Sequence, residues 1–352
     1  MQKKKVLSID ELHPGMISAM DIKLEGQTLL SKGFIITEPI INKLKGNYII
    51  GKVSVLLDED SDEAVIFKEK TVKELETTFT EFSSNLENIF DNISSLEVPK
   101  IAEVKNFLEK IQEELKSTGV VVKNIMLYGS TNDPIYRHTV NVTAISFILG
   151  KWLGFDVQDL ALLTYAAIFH DFGKMRMDKD ILNNEGTLTP EQYETYKTHP
   201  TISYHFIEQI PCINPLISRS ILMHHEMLDG SGYPLQVKED KIPSFAKVIA
   251  IADLFDTVSS NRYSKEITGP LDALNIIKEK SLRELDSTYC NTFLNHVVNY
   301  FMGETVLLND KRSCKIIQIQ MDDLTNPLVL DDEGFLDLKK EKDLYVEKLV
   351  MS

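Results

Sequence analysis

Two stretches in the first third of the chain carry apolar residues at alternating intervals of three and four. Pro99 separates them, because a proline ring excludes the preceding residue from helical geometry. The pattern therefore predicts two amphipathic helices within residues 68–118. The apolar seam of the first helix consists of Val72, Leu75, Phe79, Phe82, Leu86, Ile89, Ile93 and Leu96.

Two packings would satisfy this seam. The helices can form an antiparallel hairpin that packs on its own domain, or a parallel coiled coil that joins two chains into a homodimer through residues 68–118. Phenylalanine at Phe79 and Phe82 suits a globular helix pair better than a narrow two-stranded coil. Both packings remain open from the sequence.

The chain between residues 120 and 303 is helical in pattern, and the part beyond it is β-like. Val140–Phe155 is one of several amphipathic segments in this region. After Gly303 the pattern alternates, which predicts strands at Glu304–Leu308 and Cys314–Gln320. The chain thus ends in a small predicted β-appendage.

The first 66 residues have the pattern of a small β-containing module. Strand candidates are Met16–Ile22, Thr28–Ile36 and Lys52–Leu57, and Thr37 is a candidate cap for a short helix that ends near Gly46. The whole pattern predicts four parts: a β-containing module 1–66, a helical connector 67–125, a helical domain 126–303 and a β-appendage 304–352.

Composition limits the classes of function. The 352 residues carry a formal net charge of −15, which argues against general nucleic-acid or membrane-surface binding. No apolar run is long enough to span a membrane, and the basic start lacks the apolar region of a signal peptide. Cys212, Cys290 and Cys314 have no paired spacing, which suits a reducing compartment. A cytoplasmic protein is expected.

Histidine and aspartate are concentrated in two dense motifs of the predicted helical domain. The first, HDFGK, spans residues 170–174, and the second, HHEMLDGSGYP, spans residues 224–234. His138 precedes both motifs, His199 lies between them and Asp253 follows them. Ligands on several facing helices can converge on one interior point, so this set predicts a metal site for more than one ion.

The residue types indicate how such a site would bind its ions. Because His170 and Asp171 are adjacent, the imidazole can hold one ion while the carboxylate, with two oxygens, bridges to a second. Imidazole-rich ligation favours iron, manganese or zinc over magnesium or calcium.

Taken in order, these motifs resemble those of the HD-GYP family of bacterial cyclic di-GMP phosphodiesterases, over roughly residues 126–303. The resemblance implies a mainly α fold, an HD-type helical bundle of a metal-dependent phosphohydrolase, with small β-containing modules at both ends and a helical connector. It implies hydrolysis of cyclic di-GMP to pGpG, or further to GMP, by a bridging hydroxide held at a di-metal centre. The wording ELHPGM of residues 11–16 also resembles the N-terminal module of some clostridial-type HD-GYP proteins.

The resemblance assigns roles to individual residues. Asp171 and Lys174 are the predicted catalytic residues, with Lys174 in contact with the scissile phosphate. Arg262 and Lys265, together with Lys174, would bind the substrate, although the two residues between Arg262 and Lys265 depart from the Pro-Tyr of the family segment. The metal ligands implied by the resemblance are His138, His170, Asp171, His199, His224, His225 and Asp253.

Two divalent transition-metal ions per chain, iron or manganese, are expected. Some family members bind a third ion through a glutamate four residues before the first histidine ligand. Here that position is Pro134, and Asp133 lies one residue away. Three ions are therefore the alternative.

The Gly-Tyr-Pro loop, residues 232–234, is a predicted contact surface. In the family this loop is associated with binding to diguanylate cyclase domains, so such domains are expected partners. Gly230 and Gly232 are predicted to take the positive φ values that a tight loop requires.

Two other functions remain open. The chain can be an HD hydrolase of another cyclic dinucleotide or of a nucleotide, or it can be a catalytically silent receptor for cyclic di-GMP. The complete Gly-Tyr-Pro loop argues against the first, and the complete ligand set argues against the second. Hydrolysis of cyclic di-GMP is the leading interpretation.

Overall fold

A computed structural model gives the structure of most of the chain. The residues described are 3–8, 12–24, 27–30, 32–37, 40–41, 52–57, 71–94, 102–115, 118–130, 133, 135–182, 188–260 and 271–350. The chain divides into two units, residues 1–69 and residues 70–352.

The first unit contains five described strands. They are β1 (Lys3–Ser8), β2 (Ile17–Ser18), β3 (Ile22–Leu24), β4 (Gln27–Leu30) and β5 (Lys52–Leu57). An antiparallel sheet has the order β1-β5-β2, and β3 pairs with β4 as a hairpin. Its small core consists of Leu12, Leu30, Ile36, Ile41, Val53 and Val55.

The strand predicted at Lys52–Leu57 is confirmed, and the other two predicted strands are shorter than expected. Gly33 has a φ of +85°, so the backbone turns where the pattern of Thr28–Ile36 suggested one continuous strand. The helix predicted after Thr37 falls on residues of which the structure describes only 37, 40 and 41.

The described helices of the second unit lie between Val72 and Phe301, and the described strands of the chain lie before and after them, which confirms the predicted mainly α fold with β-structure at both ends. The described helices are α1 (Val72–Ser94), α2 (Ala102–Glu114), α3 (Thr118–Tyr128), α4 (Tyr136–Trp152), α5 (Val157–Phe169), α6 (Lys179–Leu182), α7 (Pro190–Tyr196), α8 (His199–Ile207), α9 (Pro215–Met223), α10 (Ser244–Ser259), α11 (Asp272–Lys280) and α12 (Ser287–Phe301).

Helix starts are fixed by polar caps that the sequence supplies. The side chains of Asp156, Asn214 and Asp286 accept hydrogen bonds from backbone N–H groups in the first turns of α5, α9 and α12. Thr189 and Gln192 form a reciprocal capping box at the start of α7. These caps fix where α5 and α9 begin, and His170 and His224 directly follow the last residues of these two helices.

The seam of α1 is buried against helices of the same chain. Phe90 stacks on Phe169, with ring centroids 5.6 Å apart, and meets Phe172 edge to face at 5.0 Å. Phe82 packs edge to face on Phe107 of α2 at 5.5 Å. These side chains are covered within one chain, which favours the intrachain packing, and the homodimer through residues 68–118 stays a prediction. The two packings share the same spacing, which is why the sequence could not separate them.

The C-terminal strands form one antiparallel sheet with the order β10-β6-β7-β8-β9. The two predicted strands are confirmed to within one residue, and three further strands follow them. They are β6 (Thr305–Leu308), β7 (Ser313–Gln320), β8 (Asp323–Asp331), β9 (Gly334–Asp337) and β10 (Val346–Leu349). Val306, Leu308 and Cys314 of this sheet belong to the same apolar cluster as the helices. The four-part division of the chain stays a prediction.

None of the helices that the structure describes is long and apolar enough to cross a membrane.

We expect Leu86→Ala to destabilise the protein by about 2–5 kcal/mol, the usual loss for a fully buried leucine. Asn85→Ala, on the exposed side of the same helix, is the matched control and should change stability by less than about 0.5 kcal/mol. Urea unfolding of both variants measures the difference. A Leu86→Ala protein of wild-type stability that dissociates from dimer to monomer would favour the coiled coil instead.

Candidate metal centre

Helix ends and two central helices bring the predicted metal ligands to one place. His138 lies in the first turns of α4 and Asp253 in the middle of α10. The other ligands follow or begin helices: His170 and Asp171 after α5, His199 at the first position of α8, and His224 and His225 after α9. The groups His138–His170–Asp171 and Asp171–His199–His224–His225 each bring one ligand atom per residue within 4.8 Å of one another.

Asp171 is the residue that the two groups share. Its Oδ2 lies 3.3 Å from Nε2 of His138 and 3.4 Å from Nε2 of His170. Its Oδ1 lies 3.1 Å from Nε2 of His199 and 3.9 Å from Nε2 of His224. Each carboxylate oxygen therefore faces its own pair of imidazoles, as a bridge between two ions requires.

Asp253 also faces this centre. Its Oδ1 lies 3.0 Å from Nε2 of His138, and its Oδ2 lies 3.8 Å from Nδ1 of His225. The Nε2 atoms of His225 and His199 are 3.1 Å apart. The structure thus brings together all seven residues of the predicted ligand set.

The imidazole rings are oriented by hydrogen bonds on their far sides. Nδ1 of His170, His199 and His224 lies 2.7 Å from the backbone oxygens of Ala167, Tyr196 and Ile221, respectively. A carbonyl only accepts, so each Nδ1 carries the proton and each Nε2 presents a lone pair to the centre. This arrangement is typical of metal-binding histidines.

Buried nitrogen atoms at the centre fit a metal ion. Within the part of the chain that the structure describes, Nε2 of His170 and Nε2 of His224 are buried and have no hydrogen-bond partner. An unsatisfied buried polar atom is destabilising by about 1–3 kcal/mol, and bound ions would satisfy both atoms. The residues present therefore fit divalent transition metals.

The charge states of the ligands also suit metal binding. Burial lowers the pKa of His199 and His224, and it lowers the pKa of His225 to about 3. Burial alone would raise the pKa of Asp171, but His170, Lys174 and His199 hold it well below its ordinary value. Neutral imidazoles and an ionised carboxylate are thus present at neutral pH, and the ions need displace few protons.

Gly173 allows the HDFGK turn to approach α8. A Cβ at this position would lie 2.2 Å from the backbone oxygen of His199, closer than any side chain permits. The N–H of Gly173 donates to Oγ of Ser203 at 2.7 Å, and the Ser203 hydroxyl donates to the backbone oxygen of His170 at 3.0 Å. The glycine and the serine together fix His170 and His199 relative to each other.

Lys174 lies inside the centre and forms a buried ion pair with Oδ2 of Asp171. Burial alone would lower its pKa, but the charge of Asp171 outweighs burial, and the pKa is raised. The ammonium also lies 5.2 Å from the centroid of the Tyr196 ring. A permanent positive charge is therefore held at the shared carboxylate.

The loop formed by the end of the second motif and the residues that follow it folds back on His225. The ring of Tyr233 stacks on His225 with centroids 4.7 Å apart. The buried Glu226 carboxylate accepts hydrogen bonds from the backbone N–H groups of Leu235 (2.5 Å), Gln236 (3.0 Å) and Val237 (3.1 Å). The loop and the ligand are thus held as one unit.

The two glycines of this loop act differently. Gly230 has a φ of +86°, as predicted. The prediction for Gly232 was wrong, because its φ does not lie in the positive region. A Cβ at Gly232 would instead lie 2.4 Å from the backbone oxygen of His225 and 2.4 Å from the backbone nitrogen of Met227. Gly232 is required for close packing of the loop.

Comparison with known proteins identifies the domain that carries this centre. Residues 123–289 match the HD domain family. This segment is similar to HD domains. A solved structure, the HDG"Y"P protein Bd1817 from Bdellovibrio bacteriovorus, matches with a TM-score of 0.54 at 16% identity and covers 84% of this chain and 99% of its own. That match supports the fold, and the predicted HD-type helical fold is confirmed.

Curated relatives match between 47% and 65% of this chain. A cyclic di-GMP phosphodiesterase of Thermotoga maritima is 34% identical over 47% of this chain and 44% of its own length. A cyclic di-GMP phosphodiesterase of Pseudomonas aeruginosa is 24% identical over 65% of this chain and 55% of its own length. The 3′3′-cGAMP-specific phosphodiesterase 1 of Vibrio cholerae is 26% identical over 54% of this chain and 43% of its own length. The chain thus spans about half the length of these relatives.

Three predicted positions of the HD domain lie outside the described residues. They are the substrate-binding candidates Arg262 and Lys265, and Pro134 at the position of the family's third-metal glutamate.

Sequence reasoning missed residues that support the ligands. Asp256 binds Nδ1 of His138 at 2.7 Å, and its spacing of three from Asp253 on α10 was an available signal. Tyr196 lies three residues before His199, and the centroids of the two rings are 5.0 Å apart. This spacing was also an available signal, because it places an aromatic ring beside a ligand.

We expect Gly173→Ala to weaken Mn²⁺ binding to the HD domain about tenfold or more, because the added methyl group must push His199 away. Gly154→Ala is the control: its φ of +81° also strains alanine, but no atom lies within 4 Å of the new methyl group. Calorimetric titration of both metal-free variants measures the affinities. Wild-type Mn²⁺ affinity in Gly173→Ala would contradict the close approach of the HDFGK turn to α8.

Proposed function

We propose that this chain is a metal-dependent phosphodiesterase that hydrolyses cyclic di-GMP to pGpG, with GMP as the alternative end product. The observation that supports this proposal most directly is the position of the Asp171 carboxylate, whose two oxygens face separate pairs of imidazoles. The relatives from Thermotoga maritima and Pseudomonas aeruginosa, both named as cyclic di-GMP phosphodiesterases, support the choice of substrate.

The proposed cofactors are two divalent transition-metal ions, iron or manganese. His138, His170, Asp171, His199, His224, His225 and Asp253 are the proposed ligands. Bound ions of this kind lower the pKa of coordinated water and neutralise charge on a phosphodiester.

The position of Asp133 supports two ions over three. Its Oδ1 accepts a hydrogen bond from the N–H of Tyr136, and its Oδ2 accepts from the N–H of Arg137, both at 2.8 Å. Oδ2 also accepts from the hydroxyl of Ser83 at 2.7 Å. These hydrogen bonds hold both oxygens of the carboxylate at the start of α4, so Asp133 does not replace the missing glutamate as a metal ligand.

Cationic side chains have the proposed role of binding the substrate. The ammonium of Lys174 lies beside Asp171, where it can neutralise charge that develops on the non-bridging oxygens of a phosphodiester. Arg262 and Lys265 are proposed to bind a substrate phosphate and a guanine, since a guanidinium suits both groups. Asp171 and Lys174 are the proposed catalytic residues.

A second candidate substrate is 3′3′-cGAMP, because two relatives from Vibrio cholerae are named as 3′3′-cGAMP-specific phosphodiesterases, at 26% and 28% identity. Incubation of the Mn²⁺- or Fe²⁺-loaded protein with a panel of cyclic dinucleotides, followed by chromatography, separates the candidates. Fastest conversion of cyclic di-GMP to pGpG supports the first proposal. Faster conversion of 3′3′-cGAMP supports the second, and tight binding without conversion supports a receptor.

The proposed setting is the cytoplasm, and the proposed protein partners are diguanylate cyclase domains that contact the Gly-Tyr-Pro loop. The three cysteines are free thiols, which suits a reducing compartment. Leu235, directly after the loop, is half exposed and available for such a contact. A homodimer through residues 68–118 is the less favoured assembly, because Leu75, Leu86 and Ile93 of the seam are buried within one chain.

We expect protein purified without oxygen to contain about two iron or manganese ions per chain, because Asp171 offers one oxygen to each of two imidazole pairs. Elemental analysis after metal reconstitution measures the content. Fewer than one ion per chain would count against the proposed centre, and three would show that another ligand replaces the missing glutamate.

Lys174→Ala should keep both ions and lose about 10²–10³-fold in kcat, the scale of one charge-stabilising contact. Lys105→Ala, an exposed lysine on α2, is the control and should leave kcat unchanged. Arg262→Ala should mainly raise KM, since its guanidinium would bind the substrate in both the ground state and the transition state. Steady-state kinetics with metal analysis in parallel distinguish these effects. Wild-type turnover by Lys174→Ala would remove this lysine from the scheme.

A further inference from the structure

His138 receives its orientation from a side chain rather than from a backbone oxygen. Its Nδ1 lies 2.7 Å from Oδ2 of Asp256, whereas the other three oriented histidines use carbonyl groups. Asp256 is fully buried. An aspartate side chain can rotate, so the direction of His138 depends on what holds Asp256 in place.

Asn141 holds Asp256 on its other oxygen. Its side-chain Nδ2 donates to Oδ1 of Asp256 at 2.7 Å. Its Oδ1 accepts from Nε of Arg137 at 3.0 Å. Because arginine only donates, it fixes which end of the Asn141 amide faces Asp256.

Arg137 is buried and is itself held by the connector helix α1. Its two terminal nitrogens donate to Oε1 and Oε2 of Glu76 at 3.1 and 2.7 Å. One of them also donates to Oδ1 of Asn124 on α3 at 2.9 Å. A guanidinium forms such a bidentate pair in one plane, so Glu76 sets both the position and the rotation of the Arg137 fork.

These contacts form a directional chain from Glu76 through Arg137, Asn141 and Asp256 to His138. Every link pairs a donor with an acceptor, and the chain ends with the Nε2 lone pair of His138 facing Asp171 and Asp253. Glu76 lies outside the residues that match the HD domain, 123–289. The chain therefore connects the helix that precedes the HD domain to the metal centre.

We propose that Glu76 and Arg137 are positioning residues that orient His138 for metal binding, so that the placement of α1 controls the affinity of the centre. The inference rests on the proposed metal-dependent function. A second contact supports the same coupling: Ser83 of α1 donates to Asp133, which caps the helix that carries His138. Displacement of α1 would thus disturb the start of α4 at two points.

The test is Mn²⁺ binding to the metal-free full chain, measured by calorimetry without a nucleotide. Glu76→Gln keeps the shape of the side chain but removes its charge and one acceptor. It should weaken one class of Mn²⁺ site about tenfold, the lower end of the effect of outer partners of metal ligands. Glu81→Gln, an exposed glutamate on the same helix, is the control and should bind like wild type.

A double-mutant cycle separates positioning from general stability. Asp256→Asn breaks the chain next to His138, so adding Glu76→Gln to it should produce no further loss of Mn²⁺ affinity. If Glu76→Gln does not fold, Arg137→Lys takes its place, since a lysine keeps the charge but cannot reach Glu76 and Asn141 together. Thermal unfolding of the metal-free variants records any loss of stability separately.

Two results would overturn the proposal. One is a Glu76→Gln protein that binds Mn²⁺ as tightly as the Glu81→Gln control, whatever the change in its thermal stability. The other is a double variant in which Glu76→Gln weakens Mn²⁺ binding as much in the Asp256→Asn protein as it does in the wild-type protein. Failure of the phosphodiesterase proposal is distinguishable: wild-type protein would then bind Mn²⁺ and cleave no cyclic dinucleotide. A wild-type protein that binds no Mn²⁺ would overturn both.

Discussion

The burial of one carboxylate constrains the rest of the structure. Asp171 is 1% exposed and ionised, and an isolated charge in a protein interior is strongly unfavourable. Lys174 compensates for this charge in a buried ion pair. The imidazoles of four histidines lie within 4 Å of the carboxylate oxygens, where they and Asp171 would share a bound metal cation. The helices must end where these groups can reach Asp171, and this requirement fixes the architecture around the centre.

Two glycines make that convergence sterically feasible. Gly173 lets the first motif approach the start of α8, and Gly232 lets the loop of the second motif pack on its own beginning. In both places a methyl group would collide with backbone atoms, which cannot move as a flexible side chain can. The motifs therefore combine metal-binding side chains with glycines, because their backbone segments must also approach one another closely.

The parts of the structure that were predictable have local signals. The helical domain was predictable from the helical spacing of its apolar residues. The ligands were predictable because they lie in two short motifs that are dense in histidine and acidic residues: His170, Asp171, His224 and His225. The path from Glu76 to His138 had no such signal, since it joins residues 62 positions apart through side-chain hydrogen bonds (138 − 76 = 62). The packing of α1 was undecided because an intrachain seam and a coiled-coil seam have the same spacing. The role of Gly232 was misjudged because φ values and close contacts both favour glycine.

The central claim is that Asp171 is shared by two metal ions, and anomalous diffraction tests it most directly. Crystals of the Mn²⁺-loaded protein, measured at the manganese absorption edge, should show two peaks. One should be bound by Asp171 with His138 and His170, and the other by Asp171 with His199 and His224. A single peak, or two peaks that do not share Asp171 as a ligand, would contradict the account.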